Sequence, residues 1–249
     1  MLTDTHAHLC DSVFDRDRED VVRRALEAGV EAVVIVGETL ADGRRNLELS
    51  RKYSCLKPAA GLYPAHASVR EAEKVIAFIR EHWRQLCGIG EVGLDFWIAG
   101  EEKREVQREV FRMFIRAAAE LDLPLNIHSR SAGRHTVAML LENGAGRVQM
   151  HAFDGKASAA MPGVEAGFFF SVPPSIVRSR QKQKLVGHLP LSCLLVESDS
   201  PVLGPDPAQR NEPANAAGVV QAIAEIKDVS PDAVREAVVV NTSKLYTFS

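Results

Sequence analysis

Six residues of types that bind divalent cations recur along the chain at strand spacing: His6, His8, Glu91, His128, His151 and Asp199. Side chains alternate across a β-strand, so residues two apart share a face. In DTHAHL (4–9), Asp4, His6 and His8 therefore look one way. The same holds for Asn126 with His128, Gln149 with His151, and Glu197 with Asp199. Glu91 closes the apolar run LCGIGEV, and Asp95 follows two spacings later. A lone histidine at a strand end reads more simply as a hydrogen-bonded structural residue, and a single His-x-His is a weak signal. The joint pattern is stronger. Burying a neutral polar group unpaired costs roughly 2–7 kcal/mol, and a charge costs more. Five strands would bear that cost at one end of the molecule, and a metal centre gives every such group a partner. Imidazoles and carboxylates without thiolates suit Zn²⁺, Mn²⁺ or Mg²⁺. Six ligands are too many for one tetrahedral ion but suit two ions about 3.5–4 Å apart with a bridging carboxylate. Such a pair activates water and polarises the substrate oxygen, and Asp199 beside that water is expected to carry its proton. Asp4, Gln149 and Glu197, deeper on the same faces, are expected to support the ligating histidines. These residues predict a metal-dependent hydrolase.

Positioning them requires strands that end together. Apolar runs mark strands at 1–6, 32–37, 57–62, 86–92, 124–128, 148–152, 168–172 and 193–198. Segments of helical period lie at 17–29, 40–53, 69–83, 102–122, 133–143, 156–166 and 179–188, with two more at 213–227 and 231–246. Ser68 with Glu71 reads as a capping box, Ser230-Pro231 as a capped helix start, and Gly29 and Gly144 as helix ends. Strands alternating with helices imply a parallel sheet. Eight of them imply closure into a (β/α)8 TIM barrel, a single domain over 1–249, ahead of an open doubly wound sheet. The polar residues all fall at the C-terminal ends of the strands, the face where barrel enzymes carry their chemistry.

Composition bounds the partners. Of 249 residues, 46% are hydrophobic and 25% charged, enough for a buried core. The net charge of −3 offers no general attraction for nucleic acid, although a local patch could supply one. The four cysteines form no CxxC and read as reduced thiols of a cytoplasmic protein. No basic segment followed by an apolar one suggests a secretory signal, and the longest uncharged runs, such as 166–177, are too short to span a bilayer. No membrane partner is expected.

The order of the candidate ligands resembles the TatD family of the amidohydrolase superfamily. The matching segments are DTHAHL (4–9), GIGEVGLDF (88–96), PLNIHSR (124–130), MHAF (150–153) and VESDSPVL (196–203), the last followed by RNEP (210–213). HSRSAGR (128–134), HAFDG (151–155) and VPPSIVRS (172–179) are most similar to its TatD domain-containing protein 3 branch. The resemblance implies a (β/α)8 barrel and metal-dependent phosphodiester hydrolysis, often as a deoxyribonuclease or exonuclease. Carried onto these positions, His6 and His8 would hold one ion, Glu91 would bridge, and His128 and His151 would serve the other. Asp199 would bind metal and move a proton. GLYPAH places Tyr63 where many relatives have a histidine before proline, and SVPPS replaces a glycine-bearing segment, so the substrate side departs from the family pattern.

A phosphodiester substrate calls for cations at the metal face. Arg130 and Arg134 follow the fifth strand, Arg178, Arg180, Lys182 and Lys184 the seventh, and Arg210 the eighth. The run RSRQKQK reads equally as a solvated helix face. Phe96, Trp97, Phe153 and Tyr63 are candidates for base stacking or for packing. Nucleic acid, single-stranded DNA first, is the expected substrate. The alternative is a small phosphoester, amide or lactone cleaved by the same metal pair. A barrel serving only as a binding subunit fits poorly with six filled ligand positions.

Overall fold

The computed structural model describes residues 1–248. Its eight strands are β1 (Leu2–Ala7), β2 (Val30–Ile35), β3 (Leu56–Ala60), β4 (Gly88–Gly93), β5 (Leu125–His128), β6 (Val148–Met150), β7 (Phe169–Val172) and β8 (Leu194–Val196). They pair in parallel in the order β1 to β8. The barrel closes through bonds between residues 5–8, in and just after β1, and residues 196–200, at the end of β8 and just beyond it: Asp199 N–H to His6 O (2.9 Å), His8 N–H to Ser200 O (2.8 Å), and Thr5 Oγ1 to Val196 O (2.9 Å). Buried Asp4 locks the same seam, its Oδ1 accepting from Ser198 N–H at 2.7 Å and His6 N–H at 3.2 Å. Asp4 thus fixes backbone and not an imidazole, which corrects the role expected from its shared face.

Around the strands run α1 (Arg18–Glu27), α2 (Leu40–Lys52), α3 (Val69–His82), α4 (Glu101–Leu121), α5 (Gly133–Glu142), α6 (Ala157–Glu165), α7 (Arg180–His188), α8 (Ala216–Lys227) and α9 (Pro231–Leu245). Their apolar stripes press onto the outer face of the barrel. Phe111 and Phe114 of α4 and Ile79 of α3 are fully buried there, at roughly 1.5–3 kcal/mol each. Ser230 caps α9 as expected, accepting from Ala233 N–H at 3.2 Å. Gly29 and Gly144 end their helices at positive φ. The capping box at Ser68 does not form: the Ser68 side chain makes no cap bond, and Glu71 pairs instead with Lys74 at 2.6 Å. The penultimate helix begins at Ala216 because Pro213–Asn215 make a separate turn.

Tyr246, just past α9, closes the N-terminal end of the barrel among Val34, Val36, Ala59, Cys87 and Leu195. Its hydroxyl donates to Gln149 Oε1 (2.7 Å) and accepts from Asn126 Nδ2 (3.1 Å), so a polar column runs up the barrel axis from the last helix toward the opposite end.

Candidate metal centre

At the C-terminal ends of the strands the six residues named from the sequence come together. Two sets of ligand atoms, His6–His8–Glu91 and Glu91–His128–His151, each lie within 4.8 Å of one another and share Glu91; a third joins His6, His151 and Asp199. Glu91 Oε1 is 2.6 Å from His128 Nδ1 and 2.9 Å from His151 Nε2, while Oε2 is 3.4 Å from His8 Nε2 and 4.0 Å from His6 Nε2. Asp199 Oδ1 lies 3.4 Å from His6 Nε2 and 3.6 Å from His8 Nε2. One carboxylate thus spans both histidine pairs. Room for its backbone comes from Gly61 and Gly90, where an added Cβ would stand 2.4 Å from Glu91 O and 2.6 Å from Asn126 Cβ.

The neighbours of the imidazoles fix their protons. Asn126 spends its amide on Thr5 O (2.9 Å) and Tyr246 Oη (3.1 Å), which turns Oδ1 toward His6 Nδ1 at 2.7 Å. His6 must then carry its proton on Nδ1 and aim the Nε2 lone pair into the site. Asp95 does the same for His128. Its Oδ2 accepts from His128 Nε2–H at 3.0 Å and from Tyr63 Oη at 2.8 Å. Its Oδ1 accepts from Trp97 N–H at 2.9 Å and Ile98 N–H at 3.3 Å. Nδ1 of His128 therefore faces Glu91 Oε1 at 2.6 Å, a contact made by a proton in the metal-free imidazolium and open to a metal ion in its place. His151 Nδ1 has no hydrogen-bond partner and faces Glu197 Oε2 at 4.0 Å. Of the three supporting residues expected from sequence, only Glu197 stands near an imidazole. Gln149 serves Thr5 and Ser171, and Asn126 and Asp95 do the orienting.

Burial pushes the Glu91 carboxyl up, but the imidazoles of His151 and His128 outweigh it and hold the group well below its ordinary range. Asp199 is lowered in the same way, burial being overcome by His8, His6 and His151. His8 and His128 are each raised to about 9, because neighbouring carboxylates outweigh the penalty of burial. His6, enclosed and beside other imidazoles, falls to about 3. Buried acids and bases thus compensate one another's charge within one cluster. Ring nitrogens that converge on shared carboxylates, with the far nitrogens of His6 and His128 tied to acceptors, are what an imidazole–carboxylate metal site requires once the metal displaces the protons. The residues fit divalent-metal binding. Asp199 also holds a positive φ of 54°, a conformation uncommon outside glycine and frequent at functional positions.

The cluster floors a cleft of about 430 Å³. Its walls carry Glu38, Tyr63, Arg130, Asp154 and Lys182. Arg130 lies over the Trp97 ring at 5.0 Å, and Trp97 is 68% exposed. Phe153, by contrast, is core. Arg134 stands exposed in the first turn of α5 and does not line the cleft. Arg210 is also outside it. Its guanidinium pairs with Asp17 (2.9 Å), donates to Val13 O and covers the Phe14 ring, so it tethers the loop after β8 to the loop after β1. Substrate roles for these two arginines are not supported by their placement. Lys182 and Asp95 are the functional candidates that the sequence reading mentioned without assigning.

Residues 3–247 match the family described as TatD related DNase. The chain is 42% identical to deoxyribonuclease TATDN3 of Homo sapiens, over 98% of this chain and 94% of that one. It is 31% identical to the 3'-5' ssDNA/RNA exonuclease TatD of Citrobacter koseri, over 92% of each. Among solved structures it is similar to YjjV, a TatD homolog from Escherichia coli K12, with a TM-score of 0.91 and 28% identity over 98% of this chain and 97% of that one.

Proposed function

The chain belongs to the TatD-related DNase family, and from that premise we propose that it is a divalent-metal-dependent nuclease, hydrolysing phosphodiester bonds in the cleft at the C-terminal ends of its strands. The observation that carries the reading is the pair of histidine sets sharing Glu91. His6 and His8 would hold one ion and His128 and His151 the other, with Glu91 shared between them and Asp199 completing the set; Zn²⁺, Mn²⁺ and Mg²⁺ all suit these donors. When bound, such a pair supplies an activated water and neutralises charge on the phosphate oxygens.

The chain's own groups do the remaining work. Asn126 and Asp95 hold His6 and His128 in the tautomers that leave lone pairs facing inward. Asp199, ionised and within reach of the His6 and His8 imidazoles, takes the proton of the attacking water. Arg130 on the cleft wall pairs with phosphate, since a guanidinium presents two parallel donors. Tyr63 shapes the same wall while its hydroxyl stays on Asp95.

The substrate is nucleic acid, with single strands preferred. Exposed Trp97 beside Arg130 offers a stacking face that a base inside a duplex cannot reach. The name of the Citrobacter relative, a 3'-5' ssDNA/RNA exonuclease, supports the same preference. Among the described residues no helix is long and apolar enough to cross a membrane. The four free thiols suit a reducing compartment, the cytoplasm.

A substrate panel tests the reading. Purified protein supplied with Mg²⁺, Mn²⁺ or Zn²⁺ is given a single-stranded oligonucleotide, its duplex, a chromogenic phosphodiester and a lactone. Fastest turnover of the single strand is expected. Lactone hydrolysis with every phosphodiester left intact would overturn it.

A further inference from the structure

The basic run on α7 separates in space. Arg180 and Lys184 are exposed, whereas Lys182 turns into the cleft beside the cluster. Ser179 caps α7 by accepting from Lys182 N–H, which fixes where the lysine leaves the helix. Two further bonds join this first turn to the loop after β6. Gln181 Nε2 donates to Gly155 O at 2.8 Å, and Lys182 Nζ donates to Ala152 O at 3.0 Å. Ala152 follows His151 directly, so the ammonium is held beside the cluster by the same loop that carries one of its imidazoles.

An ammonium has three donors, and the Ala152 carbonyl uses one. Glu197, Asp199 and Asp154 surround the charge and favour it, yet among the described residues no carboxylate oxygen forms an ion pair with it within 4.0 Å. Enclosure meanwhile draws its pKa below the ordinary lysine value. A lysine that serves only as a counter-ion would be expected to touch its carboxylate. Lys182 instead keeps two donors free at the wall of the cleft.

We propose that Lys182 is the phosphate anchor of this cleft, donating from its ammonium to a non-bridging oxygen of the phosphate seated beside Asp199. The assignment rests on the phosphodiester reading above and adds the group that grips the anion on the α7 side, separate from Arg130 on the loop after β5. It also gives the run RSRQKQK a division of labour: one cation for the substrate, the others for solvent.

Inorganic phosphate is the probe. Its affinity for metal-loaded protein is measured by equilibrium dialysis and by competitive inhibition of oligonucleotide cleavage, in wild type, Lys182→Met and Lys182→Arg, with bound metal counted in each sample. Losing one charge-assisted hydrogen bond predicts weaker phosphate binding by roughly 10- to 100-fold in Lys182→Met, with a parallel rise in KM and unchanged metal content. Lys182→Arg, which keeps the charge, should stay within about threefold to tenfold of wild type. Phosphate affinity equal to wild type in Lys182→Met overturns the anchor, as does loss of metal in both variants, which would make Lys182 a charge-balancing neighbour of Asp199. A wild-type protein that neither binds phosphate nor cleaves an oligonucleotide brings down the phosphodiester reading and the anchor together. Cleavage by wild type with normal phosphate binding in Lys182→Met removes the anchor alone.

Discussion

Replacing Asp95 by asparagine should weaken metal binding without touching a proposed ligand. The carboxylate accepts four hydrogen bonds: Oδ1 from the N–H groups of Trp97 and Ile98, Oδ2 from Tyr63 Oη and His128 Nε2–H. Asparagine keeps the shape but turns one acceptor into a donor. Set at the Oδ1 position, its NH₂ would face two backbone N–H groups that cannot turn away. It therefore takes the Oδ2 position. The Tyr63 hydroxyl can rotate to accept, but His128 can accept only by moving its proton to Nδ1. That atom is 2.6 Å from Glu91 Oε1 and is the one proposed to hold an ion. Losing an outer partner of a metal-bound histidine typically costs 10- to 100-fold in affinity, about 1.4–2.8 kcal/mol. Chelator competition on Asp95→Asn should show this loss for the ion proposed at His128, and ¹⁵N spectra of the imidazole should show the proton on Nδ1. Tyr63→Phe removes only one of the four donors and should change metal affinity by less than about threefold. Wild-type metal affinity in Asp95→Asn, with His128 still protonated on Nε2, would refute the reasoning.

His128→Ala and His151→Ala should each lose metal and turnover while circular dichroism shows an intact barrel; unchanged turnover in both would remove them from the site. Arg130→Ala should raise KM for an oligonucleotide about tenfold, whereas Arg210→Ala, tied to Asp17, should leave KM unchanged; the reverse order would contradict the placement of both. In metal-free protein His8 and His128 sit at about 9, above the ordinary 6.5. A histidine raised in this way stabilises the fold fully below its unfolded pKa and loses that contribution as pH climbs through the folded one. The Tm of chelator-treated protein should therefore fall between pH 6.5 and 9, and fall less once metal is restored. A flat or rising Tm would count against the charge assignment.

All eight strands could be located from the sequence, since parallel strands buried on both faces read as apolar runs. The same property exposed the cluster, because His6, Glu91 and His151 interrupt those runs where nothing polar belongs, and Asp199 directly follows the last of them. Shared faces predicted direction but not depth or partner. Asp4 went to the seam and Gln149 to Thr5, while Asn126, on the same face as His128, reached across the barrel to His6. Long-range pairings left no local trace. Arg210 meets Asp17 from 193 positions away, and Tyr246 plugs the barrel from beyond its last helix. Nor could the sequence show which cation of RSRQKQK turns inward, since that depends on the register of α7 against the loop after β6.

The most direct test of the central claim follows an end-labelled single-stranded DNA oligonucleotide incubated with the protein and Mg²⁺ or Mn²⁺, with Asp199→Ala alongside. A ladder of shortening products that needs the metal and is absent in the variant is the predicted result. Intact oligonucleotide with metal confirmed in the protein, or equal cleavage by Asp199→Ala, would contradict it.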